Sequence, residues 1–464
     1  MGPDGKACCP RETSPNAVDL RVGPNLFIDD YLIAASRGLK RTTHQPERRP
    51  DPVLEHDRPS PYLSVRYDDA LKRYRMWYGA MAPQHGFAYA ESRDGITWTL
   101  PDLGEGLGNY LGLPFGYWGF SLVDDGPRSA DASRRYKIAW YEHPRGMCVA
   151  FSPDGLRFRK HDGNPVIPTT LPGSDANNIG DILDICFDPL KREYLLVCKI
   201  ARDGFPGQPH HIEAGRRRCV GWSASRDFVT WSRPELIVAP DPHNGLEEFY
   251  GFKPVVRGNL YIGFLRVLRD DLPATPGGPV EGIGWTELMS SRDGRNWTRY
   301  QEPFLARDPN EDGWDHAMAW FGDSIGVGGK EYIYYGGYRA GHKVRAARGD
   351  RNVGLAMLRK DGFVSRDAGP EGGVLTTPPA ILPGSGMTVN AVVRGELSVR
   401  LADRRGRVPS GFDWQDCIPV RGDSLTHRIG WRGDPAWPAG EPMSLEFALR
   451  DGELYALDAV PGRT

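Results

Sequence analysis

Acidic side chains recur in this chain at one kind of place, just ahead of an apolar run that reads as a β-strand. They are Glu55, His56 and Asp57, then Asn177, Asn178 and Asp181, then Glu247 and Glu248, then Asp315 with His316. Trp118 holds the same place before one further run. If those runs stand side by side around an axis, their leading residues meet at its mouth. Two carboxylates in unlike surroundings are what cleavage of a glycosidic bond requires: one protonated, to give its proton to the leaving oxygen, and one ionised, as nucleophile or base. A third can stabilise charge and orient the ring. The candidate catalytic residues are therefore Asp57, Asp181, Glu248 and Asp315. Each has a plainer reading beside it. Asp181 caps a turn, Glu248 is a solvated loop acid, Asp315 orients a structural His316, and Asp57 is one of three polar neighbours that need not all act. Asp184 lies inside its strand and stays outside the set.

The ends of the neighbouring strands open onto the same face with His85, Glu142, His143, Arg266, Arg339 and His342, while Trp118, Tyr250, Trp314 and Trp320 offer apolar platforms or pack the interior. A polar, aromatic-walled pocket of this kind suits a carbohydrate. The substrate-binding candidates are His85, Trp118, His143, Tyr250, Arg266, His316 and Arg339. No cofactor is required and no metal ligand is assigned. A structural calcium ion in the central channel, through Asp315 or His316, stays open, with no loop motif for it in the spacing.

The elements that must position these residues announce themselves by repetition. Ser92-Arg-Asp94-Gly95-Ile-Thr-Trp98 returns as Ser152-Pro-Asp154-Gly155-Leu-Arg-Phe158, Ser225-Arg-Asp227-Phe-Val-Thr-Trp231 and Ser291-Arg-Asp293-Gly294-Arg-Asn-Trp297, with a weaker echo at Lys360-Asp361-Gly362-Phe363. Around each phrase stand an apolar run, a polar turn, an aromatic-rich run and a third run ending in the phrase. One supersecondary unit copied five times, rich in Val, Ile, Tyr and Trp, predicts an all-β five-bladed β-propeller of four-stranded blades. The phrase itself reads as structure: Asp-Gly supplies a positive-φ turn, and Ser and Asp bond its amides. Up-and-down connectivity puts the short turns on one face and nearly all the long segments on the other, and the pocket is expected there. After the last echo the pattern changes to Leu397–Leu401, His427–Trp431, Met443–Leu449 and Leu454–Leu457, read as a C-terminal β-sandwich. The expected division is a disordered tail over 1–24, the propeller over 25–364, and the sandwich with its linker over 365–464. Asn25–Ile33 is expected to be a strand that closes the ring or crosses one face.

Composition narrows the partners. With 58 Lys+Arg against 60 Asp+Glu the net charge is -2, so no global field draws nucleic acid or an anionic membrane. No apolar run reaches a membrane span and the first residues lack the apolar core of a signal peptide, so a cytoplasmic location is expected. Of seven cysteines, Cys148, Cys186 and Cys198 lie in apolar runs, as free buried thiols do. Oligomeric state is not legible.

Propeller, axial acids and following sandwich together resemble the arabinanase, levansucrase and invertase superfamily of glycoside hydrolases. Leu26–Ile33, Leu358–Ser365 and Gly411–Cys417 resemble bacterial glycosyl hydrolase-like proteins of this type. The resemblance implies a glycosidase acting on a furanoside, small glycoside or oligosaccharide. By location Asp57 matches its nucleophile or base, Asp181 its stabilising Asp and Glu248 its acid, with Asp315 as the other candidate base. Alternatives on the same scaffold are a non-catalytic carbohydrate-binding propeller, or a sialidase-like, phosphorylase or lyase activity. The Asn-Asp-Pro-Asn-Gly phrase of invertase-like enzymes is not present in the first copy.

Overall fold

The computed structural model describes residues 17–56, 59–81, 85–113, 118–126, 129–170, 177–207, 214–344, 350–384, 386–438 and 441–460. Asp57 lies outside them. Among the described residues the regular structure is almost entirely β, with a short 3-10 turn at Ala132–Arg134. The chain divides into two units, residues 43–363 and a second made of 1–42 with 364–464.

The larger unit repeats one antiparallel pattern. In the first group Pro59–Asp68 pairs with Arg73–Ala80, that with Gly86–Ser92, and that with Trp98–Thr99. The innermost strands of the next four groups are Trp118–Asp124, Asn177–Asp188, Glu248–Arg257 and Met318–Val327. Apolar clusters join each group to the next. Trp77 and Tyr89 meet Phe120 and Trp140, Val149 meets Leu196, and Val220 meets Phe252. Leu268 then meets Trp320, and Tyr334 returns to Met76 of the first group, so the succession is cyclic.

The repeated phrase is the device that ends each third strand. Ser92 Oγ accepts the Gly95 amide at 2.9 Å and donates to Asp94 Oδ1 at 2.8 Å, while Asp94 Oδ1 accepts the Ile96 and Thr97 amides at 2.8 Å. Gly95 takes φ 75°, open to glycine without strain, and Phe228 bears the same geometry in the third copy at φ 67°. The turn carbonyls then serve the neighbouring group: Trp77 Nε1 donates to Gly155 O, and Tyr334 OH to Gly95 O, both at 2.7 Å.

The fifth echo is weak for a topological reason. Its third strand, Arg351–Arg359, is completed on its outer side by Glu47–Arg48, which precedes the first group, and not by residues later in the chain. Within the span 25–33, expected to be a strand, the strand is Asn25–Leu26. Asn25–Leu26 pairs with the long strand Ser444–Ala459, and Ala35–Arg37 with Gly373–Thr376, so residues 25–42 belong with the smaller unit rather than the larger. Val18 and Leu20, inside the span expected to be a disordered tail, are buried in that unit's core, with Val18–Asp19 paired to Ala380–Ile381. The pairings bring together segments about 340 to 430 residues apart, which no local pattern encodes. The C-terminal runs join one eight-stranded sheet, in which Ser444–Ala459 carries Met387–Ala402 along its length.

Candidate functional site

Asp181 and Glu248 lie toward the long-segment ends of adjacent inner strands. Asp181 pairs with the Lys199 ammonium, supplied by the second strand of the same group. Burial works to raise its pKa, but Lys199 outweighs this and holds the carboxyl below its ordinary value. Glu248 is fully enclosed. Its Oε2 takes Arg218 Nη1 at 2.5 Å and its Oε1 the Arg218 amide at 3.2 Å. Here burial prevails over the guanidinium and pushes the pKa up. Arg218 also acts to lower Asp181, so one cation faces both acids.

Between these groups lies an aromatic floor. Tyr250 stacks on Trp320 at 4.4 Å with 15° between the rings, and the His342 ring meets it edge-on at 5.0 Å. Lys199 and Arg218 stand 5.6 and 5.7 Å from the Tyr250 ring centre. Tyr62 of the first group bonds the Tyr250 hydroxyl, and burial raises the pKa of both phenols. Behind His342, Asp270 accepts its Nδ1 at 3.0 Å and lies 3.8 Å from Arg218. Burial holds His342 below its ordinary pKa despite that carboxylate, so the ring is neutral near pH 7. The first, third, fourth and fifth groups all contribute.

Other sequence candidates stand elsewhere. Asp315 is buried at the rim of the fifth group, bonded by Tyr335 OH at 2.9 Å and Arg48 Nη1 at 3.1 Å, and burial raises its pKa. His316 spends its ring nitrogens near Asp308 O at 3.0 Å and Thr275 Oγ1 at 3.3 Å. Among the described residues no group of three or more His, Cys, Asp or Glu could hold a metal. Arg266, expected to meet substrate, is fully buried deeper in the axis, where its Nε donates to Phe321 O at 2.7 Å and Nη1 to Asp184 Oδ2 at 2.9 Å. His85 is half-buried, His143 and Arg339 are exposed at the ends of second strands, and Trp118 begins an inner strand opposite Tyr141.

Sequence reasoning passed over Lys199, Arg218 and Asp270. The signal was there: a lysine within Leu195–Ile200 and an arginine opening Arg218–Trp222 interrupt apolar strands, where a charge needs a partner.

No sequence-family profile matches the chain, and no curated protein matches it. Solved structures do. The Bombyx mori GH32 beta-fructofuranosidase is similar at a TM-score of 0.42 and 12% identity, over 90% of this chain and 94% of that one. A thermostable family-43 glycoside hydrolase is similar at 0.44 and 15%, over 70% and 95%. An N-acetylgalactosamine deacetylase from F. plautii, in complex with blood group B trisaccharide, is similar at 0.43 and 15%, over 70% and 96%.

Proposed function

We propose that this chain is a glycoside hydrolase built on a five-bladed β-propeller, cleaving a furanoside or small glycoside at the long-segment mouth of its axis. In this reading the five groups are the blades, with Glu47–Arg48 pairing to the last, and the eight-stranded sheet of the smaller unit is folded as a β-sandwich. One observation carries the reading: carboxylates of two adjacent inner strands, Asp181 paired with Lys199 and Glu248 with Arg218, are held by cations that stand 5.6 and 5.7 Å from the same Tyr250 ring, and their surroundings act on them in opposite directions, Asp181 down and Glu248 up. Such divergence is how one site keeps an acid and an ionised carboxylate together at one pH.

In the mechanism Glu248, protonated, gives its proton to the glycosidic oxygen. Asp181, ionised, faces the positive charge that develops on the sugar ring and orients it. The Tyr250–Trp320 stack supplies an apolar floor for one face of the sugar. Asp57 takes the base or nucleophile role, since Asp315 is committed to Tyr335 and Arg48. Arg218 must release Oε2 before Glu248 can reach a leaving oxygen.

The test uses leaving groups. A Glu248→Gln variant is expected to lose about 10²–10⁴-fold in rate on unactivated glycosides and far less on dinitrophenyl glycosides, which leave without protonation. Equal losses on both would remove Glu248 as the acid. The closure of the Arg218–Glu248 pair favours a second reading, a carbohydrate-binding propeller without turnover. Sugar binding with no release of product, undiminished in Glu248→Gln, would establish it instead.

A further inference from the structure

Arg218 grips the carboxyl group that must be free. Its Nη1 lies 2.5 Å from Glu248 Oε2, and a second carboxylate oxygen, Asp270 Oδ2, stands 3.8 Å from the same nitrogen. Among the described residues Glu248 and Asp270 are the two carboxylates in ion-pair reach of this guanidinium. Asp181, which Arg218 also faces, is taken by Lys199.

Asp270 follows the strand Leu260–Arg269 and is fully buried. Its neighbour Asp271 spends both oxygens on Arg269, at 2.8 and 2.7 Å. Asp270 spends one: Oδ1 takes His342 Nδ1 at 3.0 Å, while Oδ2 is enclosed with no hydrogen-bond donor. Lys343 Nζ donates to its carbonyl oxygen, so the backbone and Oδ1 are both held in place. Burial works to raise the Asp270 pKa, but His342 and Arg218 together outweigh it, and the group is ionised. A buried, ionised oxygen without a donor is costly, and it calls for a partner that arrives. Nη1 needs to move by about 1 Å to bring Oδ2 into hydrogen-bond range. The other titratable groups acting on Glu248 and Asp270 are Arg217 and Cys219, beside Arg218 on its strand, and His342 and Lys343 of the fifth group. None is a carboxylate, so none competes for Arg218.

We propose, resting on Glu248 as the acid, that Asp270 is a positioning residue: its Oδ2 receives the Arg218 guanidinium, and Glu248 Oε2 is thereby freed to carry a proton to the leaving oxygen. With its cation gone, Glu248 takes that proton from solvent; once the proton is delivered, the carboxylate is gripped by Arg218 again. Asp270 acts through Arg218 alone.

The experiment assays Asp270→Asn, as the full chain, on unactivated and dinitrophenyl glycosides beside wild type and Glu248→Gln. The amide oxygen keeps His342 Nδ1, and the NH2 group then faces Arg218 and offers no acceptor. On unactivated glycosides kcat/KM is expected to fall by about 10²-fold, with dinitrophenyl glycosides near the wild-type rate. Because the Asp270 charge acts to raise the Glu248 pKa, its removal should also move the alkaline limb, where Glu248 loses its proton, to lower pH. No release by the wild type, or equal losses on both substrate classes in Glu248→Gln, would remove the acid and the inference with it. The contrast present in Glu248→Gln and absent in Asp270→Asn would overturn the role of Asp270 alone. Should Asp270→Asn fail to fold, Arg218→Gln decides. It removes the grip and keeps both carboxylates, so it should cost the two substrate classes alike and move the alkaline limb to higher pH, since Arg218 acts to lower Glu248. A selective loss on unactivated glycosides in Arg218→Gln, or an unmoved limb in either variant, would overturn the inference.

Discussion

Asp181 and Asp184 stand three residues apart on one inner strand, and the structure gives them different work. Asp181 is near the mouth, its side chain 28% exposed, held by one lysine from a neighbouring strand and tuned below its ordinary pKa. Asp184 is 1% exposed, shared between Arg266 and Lys253, and burial raises its pKa against both cations. Depth along the axis separates them. At the mouth a carboxylate keeps access to solvent and a single movable partner, so its charge is available to a substrate. In the middle it is locked into a network that joins the inner strands of the third, fourth and fifth groups. Asp181, unlike Asp184, is thus reachable without breaking the network of the axis.

Substitutions at the two depths should therefore fail differently. At the mouth, Asp181→Asn is expected to lower kcat by about 10²–10⁴-fold while Tm moves little, as steady-state rates and thermal melts on the same preparation would reveal. In the middle, Arg266→Met strands the Asp184 carboxylate and should cost about 3–5 kcal/mol of stability, read from urea unfolding. If Arg266→Met unfolds at the wild-type urea concentration, the network is not what holds the axis.

A subtler change sharpens the contrast. Lys199→Met removes the cation that holds Asp181 down, so the carboxyl stays protonated to higher pH. Asp181 must be ionised to act in the proposed mechanism, so the acid limb of kcat/KM should move to higher pH, with the alkaline limb unmoved. An unchanged acid limb would separate Asp181 from the reaction.

The smallest effect belongs to the turns. Asp94 is brought to about 2: burial opposes this, and the Thr97 and Ile96 amides outweigh it. A carboxyl depressed in the folded state stabilises fully above its unfolded pKa, near the ordinary 3.8, and that contribution fades as pH falls through about 2. Asp94→Ala should cost about 0.5–1.5 kcal/mol at pH 7 and less toward pH 2, as urea titrations at the two pH values would measure. A loss of activity in this variant without a loss of stability would mean that the turn does more than hold a blade.

Much of this architecture was legible because it is periodic. Alternating apolar residues and the Ser-Asp-Gly turn are local signals, so Tyr62–Tyr67, Tyr136–Tyr141 and Leu260–Phe264 fall within strands of the larger unit. What escaped was non-local. Glu47–Arg48 pairs with a strand some 300 residues later, and Asn25–Leu26 with one at the far end of the chain, neither betrayed by its own composition. The mouth divides along the same line. Its acids precede apolar runs and could be read; Arg218 and Lys199 join them only through cross-strand register. Arg266 was misplaced because an arginine near a strand end resembles a mouth residue until its depth is known.

In the proposed mechanism Asp181 and Glu248 form a working pair, one ionised and one protonated, over the Tyr250–Trp320 floor. Sugar release from a broad panel of furanosides, small glycosides and oligosaccharides, with wild type beside Glu248→Gln and Asp181→Asn, tests it most directly. Release by the wild type on at least one substrate class, and its loss in both variants, is expected. Full release by both variants would contradict it.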